Sequence, residues 1–115
     1  MTQFTSLDES VIDTLREIMG QEFNDLIQAY RIDCQTRISA LKQELSEDNC
    51  DGVRRAAHSL KGSSGNVGAS HMQELCLALE TSAKNEDLSS APEMIANIES
   101  EYQNIESDLN VITRN

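Results

Sequence analysis

At 115 residues the chain has room for one folded domain with a modest core and none for a second. Two Phe, two Tyr and no Trp leave Leu, Ile, Val, Ala and Met to build that core, and one Pro with five Gly excludes a linker or a disordered tail. A net charge of −11 argues against general binding to nucleic acid or to an anionic membrane.

A short first helix is predicted from Ser6 to about Met19-Gly20. Ser6-Leu7-Asp8-Glu9 reads as a capping box, and Leu7, Val11, Ile12, Leu15 and Ile18 form an apolar stripe. A second helix runs from about Gln21 to Leu45, with Phe23, Ile27, Tyr30, Cys34, Ile38, Leu41 and Leu45 recurring at steps of three and four. Ser46 to Asp51 is a polar turn with capping candidates for the third helix. Local rules end that helix at Gly62 or Gly65, because Gly62-Ser63-Ser64-Gly65 looks like a flexible loop. A fourth helix begins around Ala69 or Ser70, where Ser70-His71-Met72-Gln73 is another capping-box candidate, and its stripe is Met72, Leu75, Cys76, Leu79 and Ala83. Ser90-Ala91-Pro92-Glu93 opens the last helix, since proline is tolerated in a first turn. Ile95, Ile98, Tyr102, Ile105, Leu109 and Ile112 carry it almost to the C-terminus. Long amphipathic helices, short turns and no strand pattern predict an all-α fold: an antiparallel up-down four-helix bundle over residues 1–115, its short first helix capping one end.

Cys34, Cys50 and Cys76 are odd in number and lack metal-type spacing; Cys34 and Cys76 fall on apolar faces and read as small buried hydrophobes. Met1 to Thr5 is not a signal peptide and no apolar run approaches membrane-spanning length, so the expected location is cytoplasmic.

The chemistry concentrates in Ala57 to Ala69. At helical spacing Arg54, His58, Gly62 and Gly65 share one face, while Val53, Ala57, Leu60, Ser64 and Val67 share another, so the histidine points away from the core. A glycine inside a helix costs about 1 kcal/mol relative to alanine. Gly62, one turn beyond His58 on its face, adds nothing to the core, and the simplest physical reason for it is access to the imidazole. From Gly52 to Gln73 there is no Asp or Glu but there are Arg54, Arg55 and Lys61; taking that +3 from −11 leaves −14 on the rest of the chain. A basic island around a histidine suits a phosphoryl group, although a solvated helix face would read the same way without the surrounding motif.

His58, Leu60, Lys61-Gly62, Ser63-Ser64 and Gly68, leading into a matching helix, resemble the core motif of the histidine-containing phosphotransfer (Hpt) domain, and the likeness extends over nearly the whole chain. The resemblance implies that the third helix continues to about Asn66 and that His58 is phosphorylated on the ring nitrogen farther from the backbone. It also implies that Lys61 steadies the phosphoryl group and that Gly62 keeps the approach open. The imidazole must be neutral to attack; an ordinary histidine, of pKa about 6.5, is mostly so at neutral pH, and nearby cations disfavour a further positive charge. Arg54, Arg55, Ser63 and Gly65 are possible partner contacts, with Ser63 equally readable as merely small and the arginines as solvated residues. Gly68 is expected to permit the tight connection into the fourth helix. Glu80 falls on the fourth helix, where the resemblance implies a polar residue, glutamine in some relatives, facing the histidine; because a carboxylate there would repel phosphate, Glu80 is left outside the expected site.

The chain has no Gly-x-x-x-x-Gly-Lys-Ser/Thr loop and no Asp-rich α/β pattern, so neither a kinase nor a receiver is expected. The resemblance implies instead a stand-alone phosphoryl carrier without a cofactor, exchanging with receiver-domain aspartates of a hybrid sensor kinase and a response regulator. The magnesium and acidic pocket would belong to the receiver, and a monomer suffices. Two other readings compete. A di-iron bundle needs Glu-x-x-His pairs, but positions 55 and 68 are Arg and Gly, so neither His58 nor His71 qualifies. A binding-only helical module would not need His58, Lys61 and Gly62 together.

Overall fold

Five α-helices arise from these periodicities in a computed structural model that describes residues 4–113. They are α1 (Glu9–Met19), α2 (Phe23–Ser46), α3 (Cys50–Asn66), α4 (Ser70–Lys84) and α5 (Ala91–Ile112), with a single 3₁₀ turn, Gly20–Glu22, between α1 and α2. Among the described residues there is no strand, and no helix is long and apolar enough to cross a membrane. α2 packs against α3 and α5, and α4 packs against the same two, so the four long helices close into a ring around one core. At 1.5 Å per residue the 24 residues of α2 reach about 36 Å, most of the 42 Å long axis.

The core is the one the stripes predict. Phe23, Ile27, Tyr30, Cys34, Ile38 and Leu41 of α2 meet Val53, Ala57 and Leu60 of α3, Met72, Cys76 and Leu79 of α4, and Ile98, Ile105 and Leu109 of α5. Ser64 is fully buried as well, its Oγ 2.8 Å from the Tyr30 hydroxyl, so that each polar group satisfies the other.

α3 runs unbroken through Gly62 and Gly65 to Asn66. The local rule that would end it at either glycine is therefore overturned. Two glycines cost about 1 kcal/mol each, whereas burying a single Leu or Val side chain returns roughly 1.5–3 kcal/mol. Leu60, Val53 and Val67 are all buried, so packing outweighs propensity.

The helix starts differ from the predicted capping boxes. Asp8, not Ser6, caps α1, accepting from the Ser10 N–H at 2.9 Å. The amides of Thr5, Ser6 and Leu7 instead converge on the buried carboxylate of Asp108, at 2.8–3.2 Å. α3 is capped by Asn49, which accepts from Gly52 N–H at 3.0 Å. α4 starts without any side-chain cap, so Ser70 to Gln73 forms no box. There the chain turns at Gly68, whose φ of +74° favours glycine, and the Ala69 N–H donates to the Ser64 carbonyl at 2.9 Å.

α1 lies across the end of the bundle formed by the α3–α4 turn and the C-terminus of α5. Asp8 N–H donates to the Gly68 carbonyl at 3.0 Å, and Arg16 Nη2 donates to the Ile112 carbonyl at 3.0 Å, serving one of the open acceptors of α5. Because α1 touches the bundle only at this end, Ile12 is buried while Ile18, predicted on the same stripe, is 75% exposed.

Candidate functional site

His58 sits in the middle of α3 with its side chain 63% exposed, on the side away from Ala57 and Leu60. Its Nδ1 lies 2.7 Å from Glu80 Oε2 on α4, and Lys61 Nζ donates to the other oxygen, Glu80 Oε1, also at 2.7 Å. One carboxylate thus ties together the histidine and the lysine. The Lys61 hydrogen bond, helped by the one from His58, holds the Glu80 carboxyl below the usual carboxylate range, against the opposing pull of partial burial. An ionised carboxylate can only accept, so Nδ1 carries the proton. The lone pair of the neutral ring is then on Nε2, which has no hydrogen-bond partner among the described residues.

Glu80 therefore belongs to this constellation, contrary to its exclusion from sequence. Repulsion would act if the carboxylate faced the phosphoryl group. In the structure it faces the opposite ring nitrogen, and Lys61 shares its charge. A signal for this position was present. The α3–α4 turn is tight and the two helices run antiparallel, so residues equally far from Ala69 face each other. His58 and Glu80 are each eleven residues from it, and Gly65 and Gln73 each four. Gln73 accordingly covers Gly65, where an added Cβ would meet its side chain.

Gly62 lies one turn beyond His58 on α3. A Cβ built there would find nothing within 4 Å, so the space beside His58 is open. Leu77, 51% exposed, lines with Lys61, Gln73 and Glu74 a shallow groove along the same face.

The basic island is less bare than its sequence suggests. Arg54 and Arg55 both turn back to Asp51, one turn earlier, at 2.8 and 3.3 Å, and that pairing, chiefly with Arg54, depresses the Asp51 carboxyl. Each cation of the acid-free stretch is paired with a carboxylate outside it, the two arginines with Asp51 and Lys61 with Glu80. Ser63 lies elsewhere: it donates to the Leu60 carbonyl at 3.3 Å and lines an α2-side groove with Leu26, Tyr30 and Val67. His71 sits on the α5 side of α4, 3.8 Å from Glu74.

All three cysteines are free thiols. Burial pushes Cys34 and Cys76 up to about 12, so neither is a nucleophile at neutral pH. Among the described residues no group of three or more His, Cys, Asp or Glu is placed to hold a metal ion.

This arrangement presents one exposed nitrogen nucleophile, its tautomer fixed by a carboxylate, with an ammonium beside it and open space above. The sequence profile of the Hpt domain matches residues 25–108. The crystal structure of histidine-containing phosphotransfer protein B (HptB) from Pseudomonas aeruginosa PAO1 superposes with a TM-score of 0.84 at 31% identity, covering 93% of this chain and 90% of that one. No curated protein matches the chain.

Proposed function

Since the chain belongs to the Hpt domain family, we propose that it is a phosphoryl carrier of a two-component phosphorelay and that His58 Nε2 is the atom that carries the group. The observation that carries this reading is the Nδ1 contact with Glu80, which leaves Nε2 as the exposed lone pair of the ring. Transfer between an aspartyl phosphate and an imidazole needs an oriented nucleophile, in-line room and positive charge near the phosphoryl oxygens. Nε2 supplies the first, the open volume at Gly62 the second and Lys61 the third.

The partners in this reading are receiver domains of a hybrid sensor kinase and of a response regulator. They would dock over the α3–α4 face, with Leu77 and Gly62 at its centre and Gly65 beneath Gln73. Arg54 and Arg55 would meet an acidic receiver surface only by leaving Asp51. Ser63, on the α2 side, would take part only if the receiver reached across α3.

The test is phosphoryl transfer from a panel of phosphorylated receiver domains to wild-type protein, His58→Gln and His71→Gln. An acid-labile, base-stable label on wild type and His71→Gln, absent from His58→Gln, is the expected result. Label that persists in His58→Gln refutes the assignment.

A further inference from the structure

Two carboxylates are buried on α5, and the fold treats them differently. Asp108 collects the amides of residues 5–7 at 2.8–3.2 Å. Glu101, 5% exposed, receives one bond, from Asn104 Nδ2 to Oε1 at 3.2 Å. Its Oε2 is screened from solvent and has no hydrogen-bond partner, and no Lys or Arg among the described residues pairs with it. A buried carboxylate oxygen without a donor is costly, and Glu101 stands between Ile98 and Ile105, where an aliphatic side chain would be buried without that cost. Glu101 also lines a groove of about 330 Å³ between α4 and α5, with His71 and Leu75 on one wall and Asn97, Ser100 and Asn104 on the other. We infer that this groove binds a guanidinium group, with Glu101 as its counter-ion.

The donor set selects the ligand. Among the described residues no three His, Cys, Asp or Glu are placed to hold a metal ion, which leaves an organic cation as the partner of Glu101. The acceptors are spread out: Asn97, Ser100, Glu101 and Asn104 recur at helical spacing over about 10 Å of α5. The side chains of Asn97 and Ser100 make no hydrogen bond among the described residues. An ammonium gathers three donors about one point, whereas a guanidinium fans five across a plane. It can therefore donate to Glu101 Oε2 and, from its other edge, to the Asn97 amide oxygen and the Ser100 hydroxyl. The last torsion of a glutamate side chain is broad, so a small turn of the carboxylate brings Oε2 to the incoming donor. Half-buried Leu75 offers apolar surface to the aliphatic stem that carries the guanidinium.

Charge and position agree with this choice. No Lys or Arg lines the groove, and a second acid, Glu74, lies 3.8 Å from His71 at its edge. The groove opens on the α5 side of α4, whereas Gln73 and Glu80 face α3. His71 is nine residues before Glu80, about 13 Å along the helix axis. A ligand held by Glu101 therefore leaves the His58 face clear, and the inference stands apart from the carrier reading.

The experiment titrates the ¹⁵N-labelled full chain with butylguanidine, and in parallel with butylurea, its neutral counterpart, and with butylammonium. Saturable shifts confined to the residues of the groove are expected with butylguanidine and not with butylurea. Binding should weaken about tenfold in Glu101→Gln, which keeps the shape and removes the charge. Asn97→Ala, an exposed change, should weaken it less, and Asp25→Asn, exposed on α2, should bind as wild type. Glu101→Gln should melt no lower than wild type, because it removes a charge that the fold leaves unpaired. Agmatine and acetylarginine methylamide then separate the sources: binding of both assigns an arginine side chain of a partner protein, and binding of agmatine alone assigns a free small molecule. Equal binding of butylurea, equal affinity in Glu101→Gln, or unsaturating shifts spread over the acidic surface overturn the inference. Butylammonium binding as tightly as butylguanidine overturns the choice of guanidinium. A Glu101→Gln protein that melts well below wild type shows the charge to be satisfied within the fold and overturns it as well. In that case Asn97→Ala still reports on the groove, and unchanged affinity there counts against it. None of these results bears on His58.

Discussion

At the scale of single residues, Gly62 is where stability and function oppose each other. It is exposed, interior to a helix and bordered by empty space, so alanine should fit and remove the backbone penalty. Gly62→Ala is expected to stabilise the protein by about 1 kcal/mol, a rise of roughly 4 °C in melting temperature. Gly62→Gln should also fold, yet its side chain would fill the approach to Nε2 and slow transfer from a receiver roughly tenfold or more. Thermal melts and transfer rates on the same samples check both. Glu80 gives a prediction in acid. Its carboxyl lies below the ordinary range because Lys61 and His58 bind its ionised form, so these contacts persist above the usual carboxylate pKa of about 4.3 and are lost as pH falls through the lower folded value. The ¹⁵N shift of Lys61 Nζ should therefore hold its paired position down to that pH and move only below it.

Among the helices, the joint between α2 and α3 fixes the rotation at which His58 is presented. Tyr30 and Ser64 hydrogen-bond inside it with no exposure of Ser64, and burial drives the Tyr30 hydroxyl well above its ordinary pKa. Ser64→Ala would leave the buried Tyr30 hydroxyl without this partner and should cost about 1–3 kcal/mol in denaturant unfolding. Tyr30→Phe combined with Ser64→Ala should cost clearly less than the two single losses added together, because the two groups share one interaction. Most of this level can be read from the chain: the stripes on α2, α4 and α5 mark the buried residues almost one for one. The persistence of α3 past Gly62 cannot be read from propensity, because the burial that outweighs two glycines comes from other helices, and only the likeness to Hpt domains points to it. Glu80 is legible only by counting across the α3–α4 turn, for a related reason. Its meaning depends on which residue of α3 it faces, a property of the turn at Gly68-Ala69 and not of α4. Ser6 resembles a cap in sequence because the group that takes its amide, Asp108, lies 102 residues away.

For the whole molecule, the segment before α1 is closed onto the last helix. Asp108, buried on α5, gathers three consecutive amides of residues 5–7, and α1 then runs on to cover Gly68. Asp108→Asn replaces a charged acceptor by a neutral one and is expected to destabilise by about 2 kcal/mol, with faster hydrogen exchange at Thr5, Ser6 and Leu7 than in the wild type. Gly68 lies under that cover, where a Cβ would come within 3.0 Å of Asp8 and Val11, so the turn between α3 and α4 is held from outside as well as by its own backbone. Loops usually absorb insertions. The helix that follows this one cannot: one residue added within α4 between Ala69 and Glu80 would turn the carboxylate by about 100° and move it about 1.5 Å along the helix axis, away from Nδ1. The spacing from His58 to Glu80 is therefore fixed unless α3 and α4 lengthen together by matching whole turns, which makes the number of residues between them as much a part of the site as the residues themselves.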